Sequence, residues 1–239
     1  MQTIIKSISA LIALILFTIA CEQNPVQQTP PQIIIVLKDV SLSTPIAEDS
    51  LNNEFISSLI TQLHSGDELY VLAVKEASFA KPLTLLHGKI PQDNDPLNTK
   101  SLTAKEHLQQ AWQNRRQAAK LQAKQTDIVG ALSYCSLLLK NNQTEKHIVI
   151  LSDMRQVSSI LDLRHKESLN APKKIKFLQE NGLMPQLPDV KITVLGAHTI
   201  GYNVDPDYYQ RLENFWMQFF QDAQADLLAY RADRNWNLP

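Results

Sequence analysis

Asp39, Ser41 and Ser43 form a DxSxS pattern, Asp39-Val40-Ser41-Leu42-Ser43, directly after the apolar run Ile33 to Leu37. A carboxylate and two hydroxyls at this spacing are hard oxygen donors. They suit Mg²⁺, or Mn²⁺ or Ca²⁺, better than zinc or copper. Two further oxygen-bearing pairs lie downstream: Thr126-Asp127 precedes an apolar helical stretch, and Ser152-Asp153 ends the run His147 to Leu151. Three neutral hydroxyls with few direct carboxylates would leave a bound cation electron-poor and open to an acidic ligand from outside. The pattern alone arises by chance in roughly one chain of this length in twenty, so its place in the fold decides its weight. The other reading of the same residues is that Asp39 and Ser43 cap the helix that follows.

These groups must be positioned by alternating strands and helices. Ile33-Ile34-Ile35-Val36-Leu37 is apolar and mostly β-branched, which marks a strand buried on both faces. The spacing of Leu51, Phe55, Leu59, Ile60 and Leu63 predicts a helix over 51–63, with Ser50 as its cap and Gly66 as its stop. A strand over 68–75, a weaker one over 82–86 and a polar loop over 91–100 follow. Residues 102–124 contain no Gly or Pro and predict one long helix, whose Arg115, Arg116, Lys120 and Lys124 read as a solvated face. Then come a helix over 128–140, a strand over 147–151 and a loop-rich stretch over 155–187 with one or two short helices. A strand over 190–195, an amphipathic helix over 208–225 and a short strand over 227–230 close the chain. Cys135 reads as an apolar filler, and the stripe Leu212, Phe215, Trp216, Phe219 and Phe220 as core packing.

This alternation predicts an α/β fold over residues 33–239: a three-layer, doubly wound, mostly parallel sheet of Rossmann-like type, in a single domain. In such sheets ligands bind at the carboxyl ends of the strands, where the winding direction reverses. The first strand is the candidate switch point. If strand 147–151 lies beside it, Asp39 and Asp153 converge at one edge.

On these residues the chain resembles the von Willebrand factor type A fold and its metal-ion-dependent adhesion site, over nearly all of residues 33–230. The resemblance lies in the order of strands and helices, the DxSxS pattern, a threonine before a helix and an aspartate ending the next strand. It implies that Ser41, Ser43 and Thr126 bind the ion directly or nearly so. Asp39 and Asp153 would act mainly through water and by holding the hydroxyls, and a partner protein would donate a carboxylate to the sixth position. Members of that family often carry glycine where this chain has Leu42, Gln125 and Met154. The bulkier residues would narrow access to the ion or alter the choice of partner.

The opening residues read as a leader rather than as part of the fold. Met1 to Lys6 carry one positive charge, and Ser7 to Ala20 are apolar or small throughout, the pattern of a secretory signal over 1–20. The run is short of the ~20 residues that a bilayer core requires. Thr18-Ile19-Ala20-Cys21 resembles the lipobox of bacterial lipoproteins, which implies acylation of Cys21. Two or more acyl chains anchor a domain stably, at about 0.8 kcal/mol per buried methylene. Glu22, where aspartate favours inner-membrane retention, leans toward the outer membrane of a Gram-negative envelope. Residues 21–32, with Pro25, Pro30 and Pro31, read as a lipidated tether.

Composition narrows the remaining choices. The 239 residues are 44% hydrophobic and 20% charged, a globular balance. A net charge of −1 offers no electrostatic case for binding nucleic acid. Two cysteines cannot supply a disulfide framework or a four-cysteine zinc site. A phosphatase of the haloacid dehalogenase type would need a carboxylate at Ser41 to act as general acid. The segment Gly196 to Asn203 has P-loop-like glycine spacing without the phosphate-binding lysine. Of the six histidines only His198, just past a strand's carboxyl end, is placed to border the expected site, and it reads first as a hydrogen-bonded loop residue. Binding is therefore expected rather than catalysis. Two alternatives stay open: a metal-free scaffold subunit that associates through helix faces, and, less favoured, a hydrolase.

Overall fold

The computed structural model describes residues 30–80, 82–92, 97–116, 123–197 and 205–238. The expected leader, Cys21, most of the tether, Lys120 and His198 lie outside the described residues. Among the described residues, six strands form one sheet: β1 (Gln32–Asp39), β2 (Glu68–Val74), β3 (Leu83–Lys89), β4 (Glu145–Leu151), β5 (Val190–Leu195) and β6 (Asp226–Arg231), in spatial order β3-β2-β1-β4-β5-β6. All neighbours run parallel except β2 and β3. The helices are α1 (Ile46–Gln62), α2 (Thr99–Arg116), α3 (Ile128–Leu139), α4 (Ala171–Glu180) and α5 (Pro206–Asp222), with one 3-10 turn at Lys166–Ser168. This is the doubly wound α/β fold expected from the alternation of elements. The chain leaves β1 toward β2 on one side and later returns to place β4 on the other. The winding direction therefore reverses between β1 and β4.

Residues alternate across β1 as the pleat requires. Ile33, Ile35 and Leu37 pack into a layer with α3, α4 and α5, while Ile34 and Val36 face α1 and α2. The aromatic stripe of α5 is core: Leu212, Phe215, Trp216, Phe219 and Phe220 are fully buried. Each such side chain stabilises the fold by about 1.5–3 kcal/mol. Cys135 is likewise buried and unpaired in a disulfide.

Most expected boundaries shift by a few residues, and three of the differences are instructive. The first helix starts at Ile46 rather than Leu51, and Ser50 is not its cap: its hydroxyl donates to the Ile46 carbonyl inside the helix at 3.1 Å. The weak strand over 82–86 runs from Leu83 to Lys89 and pairs antiparallel at the sheet edge. The long helix ends its described course at Arg116 instead of continuing to Lys124. By Ala123 the backbone is extended and bridges to Ser41. At Ala123 a pairing with a distant loop overrides local helical propensity.

After β6 the chain doubles back as a strap. Arg234 pairs with Glu48 at 2.6 Å and donates to Asn52 Oδ1 at 2.9 and 3.1 Å. Trp236 lies against Phe55 and, edge-on at 4.8 Å between ring centres, against His147. Gly196 has φ +91°, and a Cβ there would meet the Arg234 guanidinium at 2.7 Å. In the same turn of α1, the fully buried Lys38 pairs with Asp49. The first turn of α1 is thus held at two points. Among the described residues no helix is long and apolar enough to cross a membrane.

Candidate metal centre

Asp39 is the last residue of β1 and is almost fully buried. Its two oxygens are committed to the surrounding frame: Oδ1 accepts the Ser41 backbone N–H at 2.9 Å, and Oδ2 accepts the Ser152 hydroxyl at 2.8 Å. Neither Asp39 nor Ser43 caps α1, whose N-cap is Pro45 with no side-chain bond. The capping alternative is excluded.

Ser41 is buried and Ser43 exposed, and their Oγ atoms are 3.0 Å apart. That separation matches neighbouring ligands of an octahedral ion, since oxygens about 2.1 Å from Mg²⁺ and at right angles lie about 3 Å from each other. The loop carrying them is tied to the strip ahead of α3. Leu42 N–H donates to the Ala123 carbonyl at 2.9 Å, and Ala123 N–H donates to the Val40 carbonyl at 3.2 Å. Three residues along that strip, Thr126 exchanges both backbone hydrogen bonds with Val157 at 2.9 Å. Asp127 N–H then bonds the Lys75 carbonyl, just past β2. Thr126 is thereby fixed at the same edge of the sheet as Ser41.

Asp127 caps α3, with Oδ1 accepting from Gly130 N–H at 3.0 Å and from Gln156 Nε2 at 3.2 Å. Gln156 Oε1 in turn accepts from the Ile128 and Val129 N–H groups. Ser152, Asp127 and Gln156 are supporting residues that the sequence reading did not assign. Two were within reach of the sequence: Ser152 as a hydroxyl beside the expected aspartate, and Asp127 as an acidic residue directly before a helix. Nothing in the spacing of Gln156 announces its role.

Asp153 follows β4 and accepts the Arg155 N–H at 2.9 Å. Burial, reinforced by the negative charge of Asp39, pushes its carboxyl up to about 6. Burial also raises Asp39, against the hydrogen bonds from Ser41 and Ser152. Two desolvated carboxylates, one of them raised further by the charge of the other, are a place where a cation is stabilising. Among the described residues no group of three or more His, Cys, Asp or Glu converges, so any ion here rests on hydroxyls with only two carboxylates behind them. The donor set fits a hard divalent cation.

Met154 sits at φ +64°, fully buried, at the position where glycine is common in the resembling family. The backbone keeps the left-handed turn that glycine adopts freely. The turn is held by Trp216, whose indole N–H donates to the Met154 carbonyl at 2.9 Å. Leu42 is 63% exposed.

No protein-family model matches the sequence, and no curated protein matches it. Solved structures do. The minor pilin PilB of Streptococcus sanguinis aligns over 88% of this chain and 59% of its own, at 13% identity and a TM-score of 0.53. A von Willebrand factor type A protein from Catenulispora acidiphila aligns over 85% and 39%, at 11% identity and a TM-score of 0.45. Proximal thread matrix protein 1 of the mussel byssus, with a zinc-occupied MIDAS motif, aligns over 86% and 45%, at 14% identity and a TM-score of 0.46. The chain spans less than two thirds of the length of each, and at these identities the likeness is one of fold.

Proposed function

We propose that the domain binds a protein partner through a divalent cation, Mg²⁺ or its relatives Mn²⁺ and Ca²⁺, held by Ser41, Ser43 and Thr126 with Asp39 and Asp153 behind them. The observation that carries this reading is the 3.0 Å pair of serine hydroxyls, braced from beneath by an Asp39 whose own oxygens are already engaged. When bound, the ion would supply a Lewis-acidic position for a partner's carboxylate. The residues of the chain orient the hydroxyls and keep the site weakly charged. The neighbourhood of the hydroxyls suits a protein ligand: Leu42, between the two serines, and Ile46, at the start of α1, are 63% and 82% exposed. Exposed apolar side chains around a polar centre are the pattern of a protein–protein contact. The test is the melting temperature of residues 30–239 in EDTA and in millimolar Mg²⁺ or Mn²⁺. A ligand that binds only the folded state raises it. No rise with either ion would favour a metal-free scaffold.

The same proposal places the chain in the cell envelope, as a lipoprotein cleaved before Cys21, acylated there and joined to the domain by the Pro-rich tether, with the outer membrane as its address. Support comes from the residues around Cys21 and from Glu22. Incorporation of labelled palmitate into the wild type, and its loss in Cys21→Ala, tests it.

A further inference from the structure

Arg155 stands two residues beyond Asp153, and its backbone N–H holds that carboxylate. Its guanidinium does not pair with Asp153. Tyr208, in the first turn of α5, draws it aside: Arg155 Nε donates to the Tyr208 hydroxyl at 3.3 Å, and the guanidinium carbon lies 5.6 Å from the centre of the Tyr208 ring. Tyr208 can accept this bond because its own O–H is spent on the Leu163 carbonyl at 2.9 Å. Tyr209 backs the arrangement, its ring edge-on to that of Tyr208 at 5.5 Å. The result is a cation at the margin of the centre, half-buried and fixed in direction. Its two terminal nitrogens take no hydrogen-bond or ion-pair partner among the described residues. A planar, pre-set guanidinium of this kind recognises carboxylates through paired N–H donors.

We infer that Arg155 is a second anion-binding group of this centre, so that the partner engages it through two neighbouring carboxylates, one toward the ion and one on the guanidinium. The inference rests on the ion-binding reading above and narrows its partner to an acidic pair. Because the guanidinium forms no ion pair with Asp153, although its charge lowers that carboxyl, a single carboxylate directed at the serine hydroxyls leaves its terminal N–H groups unanswered. Removing the guanidinium should therefore weaken selectivity for the second acid without weakening the ion, whose affinity should hold or rise as a neighbouring positive charge is lost.

The experiment uses two probes on the Mn²⁺-loaded protein: the blocked peptides acetyl-Gly-Asp-Glu-Gly-amide and acetyl-Gly-Asp-Gln-Gly-amide. Mn²⁺ affinity is measured separately by titration without peptide. The wild type should prefer the two-acid peptide by about tenfold. Arg155→Gln should reduce that preference to about twofold or less, and Arg155→Lys should retain part of it. Mn²⁺ affinity in both variants should equal or exceed that of the wild type. Mn²⁺ binding with the same peptide preference in wild type and Arg155→Gln, or with no binding of either peptide, overturns this inference and leaves the ion site standing. Absence of Mn²⁺ binding in the wild type overturns both.

Discussion

Ser152 donates its hydroxyl to Asp39 Oδ2 at 2.8 Å, joining the carboxyl ends of β4 and β1 across 113 residues of sequence. The bond makes the switch point one unit: the carboxylate that orients Ser41 is itself oriented from the neighbouring strand. It also means that Asp39 serves the frame as much as the ion, which guides the choice of substitution.

Asp39→Asn keeps an acceptor for the Ser41 N–H and should fold, while abolishing the rise in melting temperature with Mg²⁺ or Mn²⁺. Asp39→Ala strands both donors, each at a cost of about 1–3 kcal/mol, partly offset by removing a buried charge. Thermal melts of the two variants in EDTA and in metal separate the roles. A metal-dependent rise that survives in Asp39→Asn would count against the site.

Asp153 gives a pH signature. Its folded carboxyl titrates near 6 against an ordinary 3.8, so the fold favours the protonated form. In EDTA, its contribution to stability is unpenalised below about 4 and declines as pH rises through 6, by roughly 3 kcal/mol at most. Asp153→Asn should therefore melt higher than the wild type at pH 7 in EDTA and level with it near pH 4. In saturating Mg²⁺ at pH 7 the order should reverse.

His147 acts with the opposite sign. It is buried in β4, bonded to the Thr193 hydroxyl at 3.0 Å, and burial, with the charge of Lys191, depresses it from 6.5 to about 4. The fold requires the neutral ring. Its contribution is intact above pH 6.5 and is lost as pH falls toward 4, by roughly 3 kcal/mol at most. The slopes of Asp153 and His147 oppose each other over nearly the same window, so the metal-free wild type should show a shallow profile there. His147→Gln should steepen the gain on acidification and Asp153→Asn should unmask the loss, both read as melting temperature against pH.

Trp236 covers His147 and Phe55 from the strap. Trp236→Ala should cost about 2–4 kcal/mol, somewhat less than for a fully buried tryptophan. It should also bring the His147 titration, followed by NMR, back toward 6.5. Destabilisation with an unmoved His147 would show that the strap does not control that ring's hydration.

The sheet was legible in the sequence because unbroken β-branched runs such as Ile33 to Leu37 require burial on both faces. The site was legible because the carboxyl-end rule turns a common five-residue pattern into a location. Other features depend on contacts that no local pattern encodes. The antiparallel turn of β3 follows from a β2–β3 connection too short for a crossover, which calls for a dozen residues or more. The extended course at Ala123 depends on Ser41, eighty-two positions earlier. Arg155 carries no motif, and its direction is set by Tyr208 from another element. The strap is polar and proline-ended in sequence and gives no sign that Arg234 is destined for Glu48.

Gln32 and Asp39 are the two ends of a single strand. Seven steps at about 3.3 Å make this roughly 23 Å of rigid rod. Whatever holds the chain upstream of Gln32 therefore pulls on one pole of the domain while the hydroxyl pair occupies the other. A tethered molecule would stand with that pair facing outward, like a plug on a lead, and could meet a partner without either surface blocking the other. Tension applied between a partner and a tether at these two poles would be carried by the covalent backbone of β1, leaving its hydrogen bonds to β2 and β4 largely unloaded.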